Sequence, residues 1–154
     1  MKITLITACR NSAGTIRTAM ESVLRQKCVD VEYIVVDGAS TDESVSIFKE
    51  YEPRFNGRMR WISEPDKGMY DAINKGIAMA TWDVVGILNA DDVLATDDTL
   101  AKIAAQFEGR GKREEGRDRI DALYADIRFV RDGGTVEGLR TAKTVMMIAA
   151  NVPA

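Results

Sequence analysis

Two aspartates stand side by side, Asp91 and Asp92, just past the short apolar run Val84 to Leu88 and the pair Asn89-Ala90. Adjacent carboxylates in a partly dry crevice repel each other unless something neutralises them. A hard divalent cation does so: Mg²⁺ or Mn²⁺ takes one or two carboxylates and completes its shell with water and phosphate oxygens. The competing reading is structural, with Asp92 capping the helix that follows and Asp91 solvated. Three further strips of polar residues follow apolar runs: Ala8-Cys9-Arg10-Asn11-Ser12, Asp37-Gly38-Ala39-Ser40-Thr41-Asp42 and Glu64-Pro65-Asp66-Lys67-Gly68. Asp37 could accept a hydrogen bond from a ribose hydroxyl or a base N–H. Equally, Asp37 or Ser40 could cap a helix starting near Asp42, with Gly38 supplying a turn of positive φ. Lys67 and Lys75, taken singly, read as surface lysines. Gly68 has more content, because it lets backbone approach a ligand at a helix N-terminus, where anions are favoured.

Composition narrows the chemistry. The sequence holds no histidine, which excludes a histidine-based triad, a histidine metal site and a histidine base, and leaves proton transfer to carboxylates. A net charge of −3 over 154 residues gives no general basic face for nucleic acid, so none is expected as a partner. With 45% hydrophobic and 29% charged residues, the chain has the composition of one ordinary globular domain. Cys9 and Cys28 are too few for a disulfide framework or a zinc site and read as buried thiols. The segment Met1 to Ala8 is too short and too β-branched for a signal sequence. No apolar run reaches the roughly 20 residues of a membrane span. A cytoplasmic location is expected, with peripheral association at the inner face of the cell membrane left open by a lipid-linked partner.

The elements that must hold these strips alternate. Ile3 to Ala8, Val31 to Val36, Arg60 to Ser63 and Val84 to Leu88 read as short strands covered on both faces. Ile16, Ala19, Met20, Val23 and Leu24 stripe a helix that Asn11 or Ser12 can cap. Asp42 to Tyr51 reads as a second helix through Val45, Phe48 and Tyr51. Met69 to Ala80 reads as a third, with Met69, Ile73, Ile77 and Ala80 inward, and Leu100, Ile103, Ala104 and Phe107 stripe a fourth. Residues 109–119 form a flexible polar loop, Ala122 to Val130 a further strand, and Asp132-Gly133-Gly134 a turn. Such alternation predicts an α/β fold with an open, mainly parallel sheet and helices on both faces. Ligands of such sheets bind beyond the carboxyl ends of the strands, where all four polar strips lie. No G-x-G-x-x-G follows the first strand, which argues against a dinucleotide site. A phospho-acceptor receiver domain would want its acid pair where Cys9-Arg10-Asn11 stands.

In order along residues 3–130, five segments resemble the inverting family 2 glycosyltransferases of the GT-A fold. They are Ile6 to Asn11, Ser22 to Gln26, Tyr33 to Asp42, Ile62 to Gly76 and Gly86 to Asp92. The fourth looks like the branch acting in bacterial surface-polysaccharide assembly. The resemblance implies a single GT-A-type, Rossmann-like nucleotide-sugar-binding domain over 1–154. It implies that Ala8, Arg10 and Asn11 line a base and ribose pocket, and that Asp37, with Gly38 and Ser40, binds the uracil or ribose. Asp66, Lys67 and Gly68 would contact the nucleotide, and Asn74 and Lys75 would flank the donor. Asp91 would reach the ribose, and Asp91 and Asp92 the Mg²⁺ or Mn²⁺ on the diphosphate. Asn89 stands where the family often carries another aspartate.

The implied reaction is transfer of a sugar from a nucleotide-diphosphate donor, a UDP-sugar favoured, to a saccharide or lipid-linked acceptor with inversion. The resemblance implies that the acceptor site and general base come from a further C-terminal part, which is expected to be missing here. Asp126 falls in a segment that precedes the usual base, so no residue is assigned that role. The apolar stretch 140–154 is therefore expected as a loosely packed tail inviting self-association. Two readings stay open: a working transferase, and a truncated, non-catalytic nucleotide-sugar-binding remnant.

Overall fold

The computed structural model describes residues 1–27, 29–82 and 84–109, and the strand pairing of 122–130 and 136–149. Expectations for Cys28, for the polar stretch at 110–119, for the turn at 132–134 and for 150–154 lie outside the described residues.

Strands β1 (Lys2–Cys9), β2 (Asp30–Asp37), β3 (Met59–Ser63) and β4 (Val84–Ile87) pair in parallel in the order β3-β2-β1-β4. β1 and β2 are buried over nearly their whole length, as their continuous apolar runs require. Two more strands, β5 (Ala122–Val130) and β6 (Val136–Ala149), extend the sheet, β6 antiparallel to β4 and β5 antiparallel to β6. Residues 140–149, expected within a loose tail, thus run inside a strand. Val84, Val85 and Gly86 pair with Ala149, Ile148 and Met147, which satisfies the backbone groups that an open β4 edge would leave unpaired.

Helices α1 (Ile16–Leu24), α2 (Ser44–Tyr51), α3 (Met69–Met79) and α4 (Thr99–Gly109) cover both faces. Alternation along the strands sorts them. Ile3, Leu5, Tyr33 and Val35 pack with α1, α2 and α4, while Ile6, Ile34, Val36 and Val85 pack with Ala72 of α3. Sequence periodicity placed Met69 inward, but it is 53% exposed, and Ala72, Ile73 and Gly76 are the buried residues of α3. Small residues win that face because α3 presses closely on β1. A Cβ on Gly76 would stand 2.5 Å from Ile6 Cγ2.

The helix starts also differ from expectation. Neither Asn11 nor Ser12 caps α1 through its side chain: Ser12 accepts the N–H groups of Thr15 and Ile16 with its carbonyl, at 3.0 and 2.9 Å. α2 begins at Ser44, and neither Asp37 nor Ser40 caps it. Asp42 accepts from Ser44 N at 2.9 Å and from Ala13 N at 3.0 Å. The bonds from Ser44 and Ala13 hold its carboxyl below the ordinary aspartate range.

One buried polar chain sets the exit of β4. Thr7 Oγ1 donates to the Leu88 carbonyl at 2.8 Å and accepts from the Tyr33 hydroxyl at 2.9 Å. Leu88 N returns a bond to Ile6 O at 3.0 Å. These contacts fix the backbone immediately before Asn89. Thr7→Val orphans both the Tyr33 hydroxyl and a Leu88 carbonyl lone pair, and is expected to lower stability by about 1–3 kcal/mol. Tyr33→Phe removes one donor, and about 0.5–1.5 kcal/mol is expected. Urea denaturation of the two variants checks this order, and a smaller loss in the threonine variant would contradict the network.

Candidate functional site

The strand order reverses at β1: β2 and β3 lie to one side of it and β4 to the other. Open α/β sheets bind ligands at this switch point, where loops leaving neighbouring strands diverge. A crevice of about 930 Å³ opens there, lined by residues 8–12, Thr15, 66–69, Ala72 and 89–91. Of the candidate residues, Ala8, Arg10, Asn11, Asp66, Lys67, Gly68 and Asp91 face it. Asp37, Gly38, Ser40, Asn74, Lys75 and Asp92 do not line it.

Asp37 lies beneath the crevice floor with no exposed surface. Its Oδ2 accepts from Ser40 N at 2.8 Å and Ser63 Oγ at 2.7 Å. Its Oδ1 accepts from Ser40 Oγ in a short bond and from the Cys9 thiol at 3.7 Å. Four donors occupy the four lone-pair positions of a carboxylate, so the direct base or ribose contact expected of Asp37 has no place in this geometry. Ser40 belongs to the same scaffold: its Oγ also accepts Asn11 N at 2.7 Å. Asn11 sits at φ 52° and turns its Oδ1 to Thr41 N at 2.8 Å. Burial, and then the neighbouring Asp37 charge, push the Cys9 thiol up, so it stays protonated.

The 64–68 loop is held from α3. Gly68 takes φ 112°, a conformation that side chains rarely allow. It donates its N–H to Asp66 Oδ1 at 2.8 Å, and Lys67 N donates to Asp71 Oδ2 at 3.1 Å. Lys75 Nζ reaches Glu64 Oε1 at 2.7 Å, the Pro65 carbonyl at 3.0 Å and Asp71 Oδ2 at 3.7 Å. Those acidic neighbours, Glu64 foremost, raise its pKa above the ordinary lysine value. Lys75 therefore fastens the loop rather than facing a ligand, and Asn74 is exposed on α3.

Asp91 is exposed on the crevice wall, whereas Asp92 is half-buried and accepts from Asn89 Nδ2 at 2.8 Å. The helix-cap reading of Asp92 falls, because α4 starts only at Thr99. Among the described residues no three His, Cys, Asp or Glu side chains converge as a closed metal site. The donor set does fit a hard cation that takes one or two carboxylates and draws its remaining oxygens from phosphate and water.

Several lining residues were not assigned to the site from the sequence: Ser12, Thr15, Met69, Ala72, Asn89 and Ala90. Ser12, Asn89 and Ala90 belong to the strand-end strips themselves. Ala72 carried a usable signal, since it sits one helical turn beyond Gly68.

Residues 4–113 match the family model described as Glycosyl transferase family 2. A PGL/p-HBAD biosynthesis glycosyltransferase of Mycobacterium tuberculosis is 37% identical over 117 residues, covering 76% of this chain and 43% of the relative. An uncharacterized glycosyltransferase of the same species, Rv1514c, is 34% identical over 126 residues, covering 79% and 47%. The chain thus spans less than half the length of these curated relatives. Among solved structures, S. aureus TarS 1–349 in complex with UDP-GlcNAc superposes with a TM-score of 0.65 at 20% identity, covering 87% of this chain and 42% of that one. The mannosyltransferase PcManGT from Pyrobaculum calidifontis, in complex with GDP-Man and Mn²⁺, gives 0.62 at 27% identity, covering 66% and 31%. The fold is of the GT-A kind.

The scaffold role of Asp37 has a direct consequence. Asp37→Asn puts an amide N–H₂ where protein donors already point, and is expected to lower the stability of the ligand-free protein by about 1.5–3 kcal/mol. Chemical denaturation without nucleotide measures it. Unchanged stability would return Asp37 to a ligand-facing role.

Proposed function

The chain belongs to glycosyl transferase family 2, and from that premise we propose that its crevice holds the nucleoside diphosphate of a sugar donor. The reaction proposed is transfer of that sugar, with inversion, to a saccharide or lipid-linked acceptor. The observation that carries the reading is the convergence of 8–12, 66–69 and 89–91 around one opening at the switch point.

The chemistry of the lining suits such a ligand. Arg10, Lys67 and the N-terminus of α3 favour the anionic oxygens of a diphosphate. Asp91, with Asp92 behind it, would hold Mg²⁺ or Mn²⁺. When bound, that ion would neutralise charge developing on the departing diphosphate. A neighbour at 27% identity in complex with GDP-Man and Mn²⁺ supports this assignment. In the transfer itself an acceptor hydroxyl forms its bond to the anomeric carbon as the bond to the diphosphate oxygen breaks, and the hydroxyl proton passes to a base. No residue of this chain is assigned that base.

A UDP-sugar donor, a role in cell-surface polysaccharide assembly, and a cytoplasmic site at the inner face of the membrane complete the reading. No helix among the described residues is long and apolar enough to cross a membrane. A competing reading, a module that binds the donor without transferring it, has one observation in its favour. The crevice carboxylates are Asp66, already bonded to Gly68 N, and Asp91, already given to the metal. Sugar transfer that depends on an added saccharide or lipid-linked acceptor separates the two.

The donor site is testable without an acceptor. In calorimetry with UDP and GDP, Mn²⁺ is expected to tighten binding by about tenfold or more, and Asp91→Asn to remove most of that gain while circular dichroism stays unchanged. Failure of the folded protein to bind either nucleotide, with or without metal, would overturn the donor-site reading.

A further inference from the structure

We propose that Ser22, in α1, and Gln26, just past its end, are positioning residues for the metal carboxylates: they set the path of the loop that carries Asp91 and Asp92. The proposal rests on the donor-site reading above and adds to it two residues that line no part of the crevice. The other loops at the crevice each have an anchor of their own. The turn after β2 is tied to Asp37 through Ser40, with Ala39 at φ 54° taking the positive φ that the sequence suggested for Gly38. The loop after β3 is fastened to α3 by Lys75. The stretch from Leu88 to Asp98, between β4 and α4, has neither a buried carboxylate nor a strand of its own.

That stretch is held at two points. At its start the Leu88 carbonyl takes the Thr7 hydroxyl at 2.8 Å. Farther along, every hydrogen bond that reaches residues 93–100 from a distant part of the sequence, among the described residues, comes from Ser22, Gln26 or Lys27. Leu94 N donates to Ser22 Oγ at 3.1 Å. Gln26 Nε2 donates to the Thr96 carbonyl at 2.7 Å, and Gln26 Oε1 accepts Leu100 N at 3.0 Å. Lys27 N donates to the Asp97 carbonyl at 2.8 Å. Asp91 and Asp92 thus lie between two fixed points, Leu88 and Leu94, and both of those leucines are buried.

The residue types suit this task, and packing alone would not select them. Ser22 has no exposed surface and shares the buried face of α1 with Ile16, Ala19, Met20 and Val23. A serine inside a helix does nothing for the helix itself. Its hydroxyl donates back to the Ala19 carbonyl at 2.7 Å, which leaves its oxygen lone pairs for Leu94 N, an interior amide that would be costly to leave unpaired. Gln26 faces two carbonyls, Ser22 O at 3.2 Å and Thr96 O, and one N–H. Only an amide side chain offers two donors and an acceptor together. Leu100 is the second residue of α4, and an N–H there has no partner within its own helix. Gln26 therefore supplies a cap to α4 from the end of another helix. Groups that orient metal-binding carboxylates set the affinity for the ion; Ser22 and Gln26 act one step further out, through the backbone that carries the carboxylates.

Titration of Mn²⁺ into the folded chain with saturating UDP or GDP, read by the electron paramagnetic resonance of free Mn²⁺, tests the role without turnover. Gln26→Ala is expected to weaken Mn²⁺ binding about three- to tenfold and Ser22→Ala about two- to fivefold, at or below the lower reach of what outer-shell partners contribute. Nucleotide affinity without metal should stay within about twofold of wild type in both, because the loops after β1 and β3 are untouched. Thr81→Val separates this from a general loss of stability: it removes a hydroxyl donor from the buried Glu32 near the opposite end of the sheet, and Mn²⁺ affinity should not change. Ser22→Ala, which removes little volume, decides alone where Gln26→Ala does not fold. Wild-type Mn²⁺ affinity in the variants at 22 and 26, or an equal loss in Thr81→Val, overturns the positioning role and leaves the donor site standing. Nucleotide binding by the wild-type protein that is indifferent to Mn²⁺ overturns the metal assignment and this role together.

Discussion

A fully buried carboxylate is tolerated only where protein donors replace its water, and the arrangement around Asp37 follows from meeting that demand. Cys9 supplies a thiol from the end of β1, Ser40 an N–H and a hydroxyl from the turn after β2, and Ser63 a hydroxyl from the end of β3. The carboxyl ends of the first three strands are thereby drawn to one charge. Asn11 is recruited at one remove, through Ser40 Oγ and Thr41 N. A low-dielectric interior strengthens each of these bonds and penalises any that is missing. That makes the crevice floor stiff before any ligand arrives.

Above the floor the polar groups serve a different end. Arg10, Asp66, Lys67 and Asp91 all line an open crevice, where their charges can be traded for those of a ligand. Lys75 lies on the supporting side, since its contacts to Glu64, Pro65 and Asp71 are spent on the loop that carries Asp66 and Lys67. Small residues keep α3 close enough for that loop to reach the strand ends: Gly76 rides against Ile6, and Ala72 is itself part of the lining.

The strands were legible because a parallel sheet covered on both faces writes itself as short apolar runs, and Ile3 to Ala8 and Val31 to Val36 are such runs. The convergence of strips at the strand ends followed from topology alone. What the sequence could not tell was which of two carboxylates is buried. That choice is made by Ser63, a residue 26 positions from Asp37 and brought to it only by the pairing of β2 with β3. The same limit explains the caps. Asn11 and Asp42 have the right side chains for local capping, but Asn11 spends its oxygen on Thr41, and Asp42 shares its own with Ala13. Asp92 looked like a cap because nothing nearby in sequence disclosed that α4 waits until Thr99, after a turn in which Thr96 Oγ1 binds Asp98 at 2.6 Å. Residues 140–149 looked like a tail because their partner, the edge of β4, is remote in sequence.

Aspartate is used in three physical states within this one sheet end, and the differences among them bear on function. Asp37 has no surface and a full set of donors, so it can only support. Asp91 is exposed on the β4 wall, where its hydration can be exchanged for a cation at little cost in desolvation. Asp66 lies between: one oxygen is tied to Gly68 N and the other faces the space over Gly38. A carboxylate that is oriented but incompletely satisfied discriminates among ligands better than either extreme. The free one can reorient to suit any partner, and the saturated one meets none. The loop from Glu64 to Gly68, tied to α3 through Lys75 and Asp71, presents Asp66 to the crevice in that intermediate state.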